Sequence, residues 1–185
     1  MKRNIVILVL GSCCLFNSCY ELDLNPLSQG SSENWYSSET EIEMALKDGY
    51  RQDFWPKDKE EWTDDYVYRE TNSAIVNGTL NGQTDEVTKM WSNQYKAIAR
   101  ANTVLANMEK AQSLGISQSK IDQYTAEAYF LRASMYSTLI SHFGDVVYVT
   151  EVMDVDQAFE VGRTAKAEII PKVYEDFDKA QQDCH

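Results

Sequence analysis

Residues 126–145, AEAYFLRASMYSTLISHFGD, constrain the fold more than any other part of the chain. They lie within a run, 121–142, whose spacing predicts one long helix. Ile121, Tyr124, Ala128, Leu131, Met135 and Leu139 recur every three or four residues and form an apolar stripe. Tyr129, Phe130, Ala133, Tyr136 and Ile140 form a second stripe beside it. A surface helix carries one such stripe, whereas a helix with two is packed on two sides. The rest of the chain therefore has to supply neighbours for both. Small residues at Ala126, Ala128, Ala133 and Ser134 let those neighbours approach closely. Gly144 stops the helix, because glycine tolerates the left-handed backbone that a helix end often needs. A β-branched run, 146–150, follows and reads as a short extended segment.

Three further helices are expected. The first spans 39–54, with Ser38 as N-cap, Glu41 three residues on as in a capping box, and Ile42, Ala45, Leu46 and Gly49 on one face. Pro56 forbids its continuation and biases Trp55 towards an extended shape. The second spans 85–114, capped by Thr84, with Asp85 and Glu86 favouring its first turn and Gly115 ending it. Val87, Trp91, Tyr95, Ile98, Asn102, Leu105 and Met108 follow one face of it. The last spans 165–181, capped by Thr164. Its apolar face holds Ile169, Ile170, Val173, Tyr174, Phe177 and Ala180, and Pro171 requires either a bend or a nearby start.

Two polar residues fall on apolar faces, and each needs a buried partner. For Asn102 the expected partner is a neighbouring loop. For Arg132 it is a carboxylate or carbonyl, and Glu127, five residues back, could supply one at reduced geometry. His142, near a helix end, reads as a solvated residue rather than a catalyst. In the polar connection 151–162, Asp154 and Asp156 could share a cation, but two carboxylates alone are a weak signal.

Composition narrows the function classes. At 185 residues the chain is long enough for one domain with a real core. A formal charge of -12 argues against nucleic acid as a partner, since phosphate binders are usually basic. There are four cysteines, no CxxC pair and two histidines, so neither a zinc site nor any other metal site is expected. No Ser/His/Asp order or glycine-rich phosphate loop stands out. Adjacent carboxylates such as Asp64 and Asp65 have no fixed separation of the kind a glycosidase needs. No enzyme activity and no cofactor are expected.

Residues 1–18 read as an export signal. Lys2 and Arg3 give its positive start, and the apolar run that follows is too short to span a bilayer. Leu15-Phe16-Asn17-Ser18-Cys19 resembles a loose lipoprotein box, so Cys19 is the expected lipidation site, carrying a diacylglyceryl thioether. Leu10-Gly11-Ser12-Cys13 is a tidier box, but cutting before Cys13 would leave a very short apolar core. Lipid anchoring attaches a protein to a membrane without a transmembrane helix. Residues 19–34 form a tether in which Pro26, Ser28, Gly30 and Ser31 oppose regular structure. Residues 35–185 form the helical domain.

The connection 55–83 is longer than most loops in compact domains, which marks it as functional or partly structured. It sets Trp55, Trp62, Tyr66 and Tyr68 among carboxylates, Arg69 and Asn72. That mixture suits a sugar: an aromatic ring takes the C–H face of a pyranose while amides and carboxylates bond its hydroxyls. Trp62 and Tyr66 are the leading candidate platforms, with Asp65 and Asn72 as hydrogen-bonding partners. Trp55 and Trp91 come second, because each adjoins a helix that can bury it. Aromatics in a long loop can equally be pinned down as a small core of its own. Two Asn-Gly pairs, Asn77-Gly78 and Asn81-Gly82, favour tight turns.

Glu127-Ala128-Tyr129-Phe130-Leu131-Arg132-Ala133, followed by Phe143-Gly144-Asp145, resembles the "EAyFLRA…fGdvP" segment of the SusD/RagB family, with Val147 where that family usually has proline. Trp91, Tyr95, Ile98, Asn102 and Leu105 are similar to a second family segment, and Arg163-Thr164 with Val173, Asp176, Phe177 and Ala180 to a third. Leu22-Asp23-Leu24-Asn25-Pro26 resembles the segment that follows the family's lipid-bearing cysteine. The resemblance implies an all-α fold of antiparallel helix pairs stacked in tetratricopeptide-like fashion, with one long aromatic-rich loop. It also implies an outer-membrane, cell-surface lipoprotein that binds a glycan or other nutrient and passes it to a TonB-dependent transporter. Family members are much longer, so the resemblance implies an N-terminal fragment. Helical-pair stacks also bind peptides, and a protein-interaction module without glycan binding is the alternative.

Overall fold

The computed structural model describes residues 35–55, 63 and 74–182, and the elements below all belong to the compact unit Tyr36–His185. In chain order they are α1 (Glu39–Gly49), a 3₁₀ turn (Gln52–Phe54), α2 (Asp85–Ala106), α3 (Met108–Ser113), α4 (Gln118–Phe143), α5 (Val155–Glu160) and α6 (Lys166–Gln182). Apart from one antiparallel bridge between Val146 and Thr164, the described elements are helical.

The side-chain contacts fix the directions of the helices. Asp48 pairs with Arg100, and the Phe54 carbonyl accepts from Gln94, so α1 and its 3₁₀ extension run antiparallel to α2. Asn102 meets Arg132 while Trp91 meets Phe143, so α2 and α4 are antiparallel. Phe130 meets Phe177, Arg132 meets Asp176, and Val146 meets Thr164, so α4 and α6 are antiparallel. Along α1 and α4 the contacts rise together, from Glu39 and Glu43 against Tyr124 to Gly49 against Leu131. Those two helices are parallel. The result is two stacked helical hairpins, the tetratricopeptide-like all-α arrangement.

The core lies between α2, α4 and α6. All six residues of the first α4 stripe are buried. In the second stripe Ala133, Tyr136 and Ile140 are buried, but Phe130 is 40% exposed. On α6, Tyr174 also faces solvent although it shares the apolar spacing. Gly49 is placed by packing: a Cβ there would lie 2.6 Å from Leu131 Cδ1, so α1 comes this close to α4 only without a side chain.

Helix ends depart from expectation in instructive ways. The first helix stops at Gly49 and resumes as the 3₁₀ turn, which carries Phe54 into the core. Its Ser38 cap accepts from the Glu41 N–H, but the Glu41 carboxylate reaches the Ser37 N–H at 2.7 Å rather than closing a box on Ser38. The second helix breaks at Asn107, whose amide donates to the Thr103 carbonyl at 2.7 Å and so competes with the helical bond. Thr84 makes no side-chain cap; its hydroxyl accepts from the Asn81 N–H in the preceding turn. Pro171 sits inside α6, in its second turn. Gly144 has φ 71° and ψ -115°, a positive-φ backbone that favours glycine, as expected, but not the left-handed helical one.

Candidate functional site

Around α4 the structure builds one completed polar site and two aromatic ones. The completed site surrounds the segment 146–151. Among the described residues this run pairs with other backbone at Val146 alone and forms no strand, although its β-branched residues favour one. Helix side chains take the place of a sheet partner. Tyr95 donates its hydroxyl to the Val147 carbonyl at 2.8 Å. Tyr136 accepts from the Val149 N–H at 2.7 Å and donates to the Val149 carbonyl at 2.9 Å. Asn102 donates to the carbonyls of Val149 and Glu151. Arg132 donates to the Thr150 carbonyl and, at 3.0 Å, to Asn102 Oδ1.

The Arg132 guanidinium closes this network on α6. Its Nε and Nη2 meet the two Asp176 oxygens at 2.7 and 2.8 Å, both residues being buried. Burial by itself would lower the arginine pKa, but the bonds and charge of Asp176 hold it raised. The expected carboxylate partner is thus Asp176 from another helix, not Glu127. Burial also pushes the Tyr95 hydroxyl up to about 12 and raises Tyr136 further, so both act as neutral hydrogen-bonding groups. Each of these side chains makes at least one hydrogen bond, and together they fix the segment.

The first aromatic site lies where the long connection begins. Trp55 donates its indole N–H to the Gly49 carbonyl and is half-buried. It stacks on Tyr50, with centroids 6.0 Å apart and planes 8° from parallel, and on Phe130 at 6.3 Å. Phe130 in turn meets Phe177 edge-on at 6.0 Å. Beside these rings opens a cavity of about 580 Å³ between α4 and α6. Glu127 projects into it. Burial raises the pKa of this carboxyl, the Tyr50 hydroxyl bonds it and opposes that rise, and nearby Glu43 adds to it.

The second aromatic site lies at the other end of the connection. Trp91 is half-buried against Tyr95 at 5.0 Å and Phe143 at 5.1 Å, and the Arg163 guanidinium stands 5.3 Å over its ring. Gly82, Val87 and Thr88 complete a cavity of about 330 Å³ there. Arg163 also donates to the Asp145 carbonyl.

Of the residues singled out from sequence, Trp55 and Trp91 therefore sit at separate aromatic clusters, one at each end of the connection. Trp62, Asp65, Tyr66 and Asn72 lie outside the described residues, as does Cys19. Asn102 makes the loop bonds expected of it. Asp154 is not poised for a cation: it caps α5, accepting from the Gln157 N–H at 2.8 Å while the Gln157 side chain accepts from the Asp154 N–H. His142 bonds its own helix at the Thr138 carbonyl and faces solvent. Sequence reasoning missed the cavity beside Phe130. Its signal was available in Phe130 and Phe177, which fall at the edges of their stripes, but spacing alone assigns such residues to the core. Among the described residues no group of three or more His, Cys, Asp or Glu could hold a metal ion, and no helix is long and apolar enough to cross a membrane.

Comparison with known proteins places this architecture. Residues 33–183 match the model of a SusD-like family described as starch-binding and associating with the outer membrane. SusD-like protein P2 of Formosa agariphila is 22% identical over 178 residues, covering 89% of this chain and 35% of that protein. A SusD-like carbohydrate-binding protein of Bacteroides fragilis superposes with a TM-score of 0.63 at 25% identity, over 81% of this chain and 32% of its own. A laminarin-binding SusD-like protein superposes with a TM-score of 0.54 at 26% identity, over 60% of this chain and 23% of its own. The chain thus spans about a third or less of the length of these proteins. With the stacked hairpins and the 33–183 match in agreement, the chain belongs to the SusD-like family.

Proposed function

We propose that the chain is the N-terminal, glycan-binding part of an outer-membrane lipoprotein that presents oligosaccharide to a TonB-dependent transporter. The observation that carries this reading is the 33–183 match to a family described as starch-binding and associated with the outer membrane. Cys19 is the proposed lipid anchor. Replacing it with alanine releases the protein from the membrane fraction; unchanged membrane association with no lipid mass on Cys19 rules the anchor out.

In this reading the connection that leaves Trp55 and returns before Trp91 holds the sugar-facing groups. Trp62 and Tyr66 are the proposed platforms, and Asp65 and Asn72 the hydrogen-bonding partners. Trp55 and Trp91 support the two ends from their clusters and act as positioning residues. Calorimetry with laminarin and starch oligosaccharides tests this. Trp62→Ala weakens binding by roughly 1–3 kcal/mol, on the scale of base stacking on aromatic rings. Equal affinity of wild type and a Trp62, Tyr66 double alanine variant removes the connection from the site. Because one open platform excludes little water, a longer form carrying the remaining length of the relatives binds more tightly than 185 residues alone.

A second reading, a tetratricopeptide-like protein-interaction module, is favoured by one observation: the cavity beside Phe130 is lined mainly by apolar groups and lies open between two helices.

A further inference from the structure

The exposed segment that leads into α2 contains two Asn-Gly pairs, Asn77-Gly78 and Asn81-Gly82, and their backbones are held differently. An Asn-Gly pair can react with itself in water. The main-chain nitrogen after the asparagine attacks the side-chain amide carbon, and glycine permits this because it has no side chain to crowd the approach. Three conditions set the rate. The glycine N–H must lose its proton, the amide oxygen must accept growing negative charge, and solvent must reach the pair.

At Asn77 the attacking nitrogen is engaged. The Gly78 N–H donates to the Ile75 carbonyl at 3.2 Å, inside a turn that the Thr79 N–H closes on the Ala74 carbonyl at 3.0 Å. At Asn81 the arrangement is reversed. Gly82 and Gln83 are the central residues of a turn closed by the Thr84 N–H on the Asn81 carbonyl at 3.0 Å. Among the described residues no acceptor holds the Gly82 N–H. The Gln83 N–H instead donates to Asn81 Oδ1 at 2.9 Å, an Asx turn that folds the side chain back over the chain. That donor is aimed at the oxygen on which negative charge develops when the amide carbon is attacked. Asn81 Nδ2 donates to the Thr79 carbonyl at 3.3 Å, which fixes the amide plane. Asn81, Gly82 and Gln83 are exposed, and a Cβ at Gly82 would meet nothing within 4 Å.

We propose that Asn81 is a site of spontaneous deamidation, activated by the turn that precedes α2. The Gly82 nitrogen gives its proton to solvent base and bonds to Asn81 Cγ. The Cγ–Nδ2 bond breaks, and the amide nitrogen takes a proton from solvent and leaves as ammonia. Water then opens the cyclic imide at either carbonyl, to aspartate or to isoaspartate, with nothing oxidised or reduced. Either product places a new carboxylate beside the cavity that Gly82 shares with Trp91 and Arg163. Isoaspartate also routes the main chain through the former side chain. The carbonyl that accepts from the Thr84 N–H then becomes a carboxylate on a branch, and the start of α2 loosens. None of this depends on the glycan reading.

The test incubates the 185-residue chain at mildly alkaline pH, folded or in urea, and follows both pairs by peptide mass spectrometry. Isoaspartate is counted with an isoaspartyl methyltransferase. In the folded chain, ammonia loss at Asn81 is expected to run about tenfold faster than at Asn77, the scale of one hydrogen bond made or missing in the transition state. In urea, where neither turn persists, the two pairs should react at similar rates. Gly82→Ala has open space for its methyl and should slow the reaction at Asn81 in both states while leaving Asn77 unchanged. Hydroxylamine, which cleaves the imide, should cut the folded chain after Asn81 in preference to Asn77. The aged protein should show faster hydrogen exchange at the Thr84 amide. Equal rates in the folded chain, or a faster reaction at Asn77, overturn the inference. So does a ratio that is the same in urea, since the turn then contributes nothing. An undiminished rate in Gly82→Ala also overturns it, because ammonia is then lost by direct hydrolysis and not by main-chain attack.

Discussion

Two charged residues five positions apart on α4 meet opposite fates. Arg132 is 5% exposed, and every side it presents is answered: two oxygens of Asp176, the amide oxygen of Asn102, the carbonyl of Thr150. Glu127 is half-buried, and the described residues offer it one hydroxyl, a neighbouring carboxylate and the charge of Lys47, which is itself paired with Glu43. A burial cost that is met by a complete set of partners yields architecture. One that is met in part leaves room for something else to complete it. On one helix the difference separates a charge with a full set of partners among the described residues from one with few.

The comparison is broken most forcefully at Asp176. Asp176→Ala leaves a buried guanidinium without its counter-charge, and urea denaturation should show a loss of about 3–5 kcal/mol. Arg132→Met combined with Asp176→Leu should cost far less, because no charge is then stranded. If the single and double variants are equally unstable, the pair matters for its shape and not for its charge. Leu131, buried beside Arg132 and against Gly49, provides the apolar reference: Leu131→Ala should cost about 2–5 kcal/mol. A loss under about 0.5 kcal/mol would mean that this face of α4 is open too. Gly49→Ala tests the same contact from the other side. The methyl must push the Leu131 tip aside, at a cost of about 1–3 kcal/mol.

Tyr136→Phe removes the hydroxyl that serves both backbone groups of Val149, and a loss of about 1–3 kcal/mol is expected, with faster hydrogen exchange at the Val149 amide. The smallest effect belongs to Glu127. Its folded pKa is raised, so the native state binds the proton more tightly than the unfolded chain does. Its ionised form therefore disfavours folding, and stability at this residue improves as pH falls through the raised pKa. Glu127→Gln should remove that dependence while changing stability at neutral pH by no more than about 0.5 kcal/mol. A large destabilisation would place Glu127 with Arg132 among the completed charges.

These outcomes bear on what was legible in the sequence. The double stripe of α4, the stop at Gly144 and the demand of Asn102 and Arg132 for buried partners all follow from local spacing and burial cost, and the structure meets each. The identity of the Arg132 partner was not legible, since Asp176 lies 44 residues away and becomes adjacent only when α6 folds back. The break at Asn107 was hidden because Asn competes with the helix through its side chain, which an apolar pattern does not register. Phe130 was misplaced for a related reason: periodicity finds the faces of a helix but not which of them a neighbour reaches. The connection with Trp62 and Tyr66 had no period to read, and its role stands on chemistry alone.

The segment 146–151 carries a consequence for how this molecule can vary. A strand in a sheet is held by donors and acceptors from its own backbone, so a residue without an N–H is costly there. Here, among the described residues, Val147 contributes only its carbonyl, which Tyr95 holds, and proline keeps that group intact. Substitution freedom therefore moves from the helices to the segment. Tyr95, Asn102, Arg132 and Tyr136 hold the main-chain atoms, while the side chain at 147 can change without releasing them. A valine at 147, in place of the proline of the SusD/RagB segment that the sequence resembles, is on this geometry an exchange that the four helix side chains do not detect.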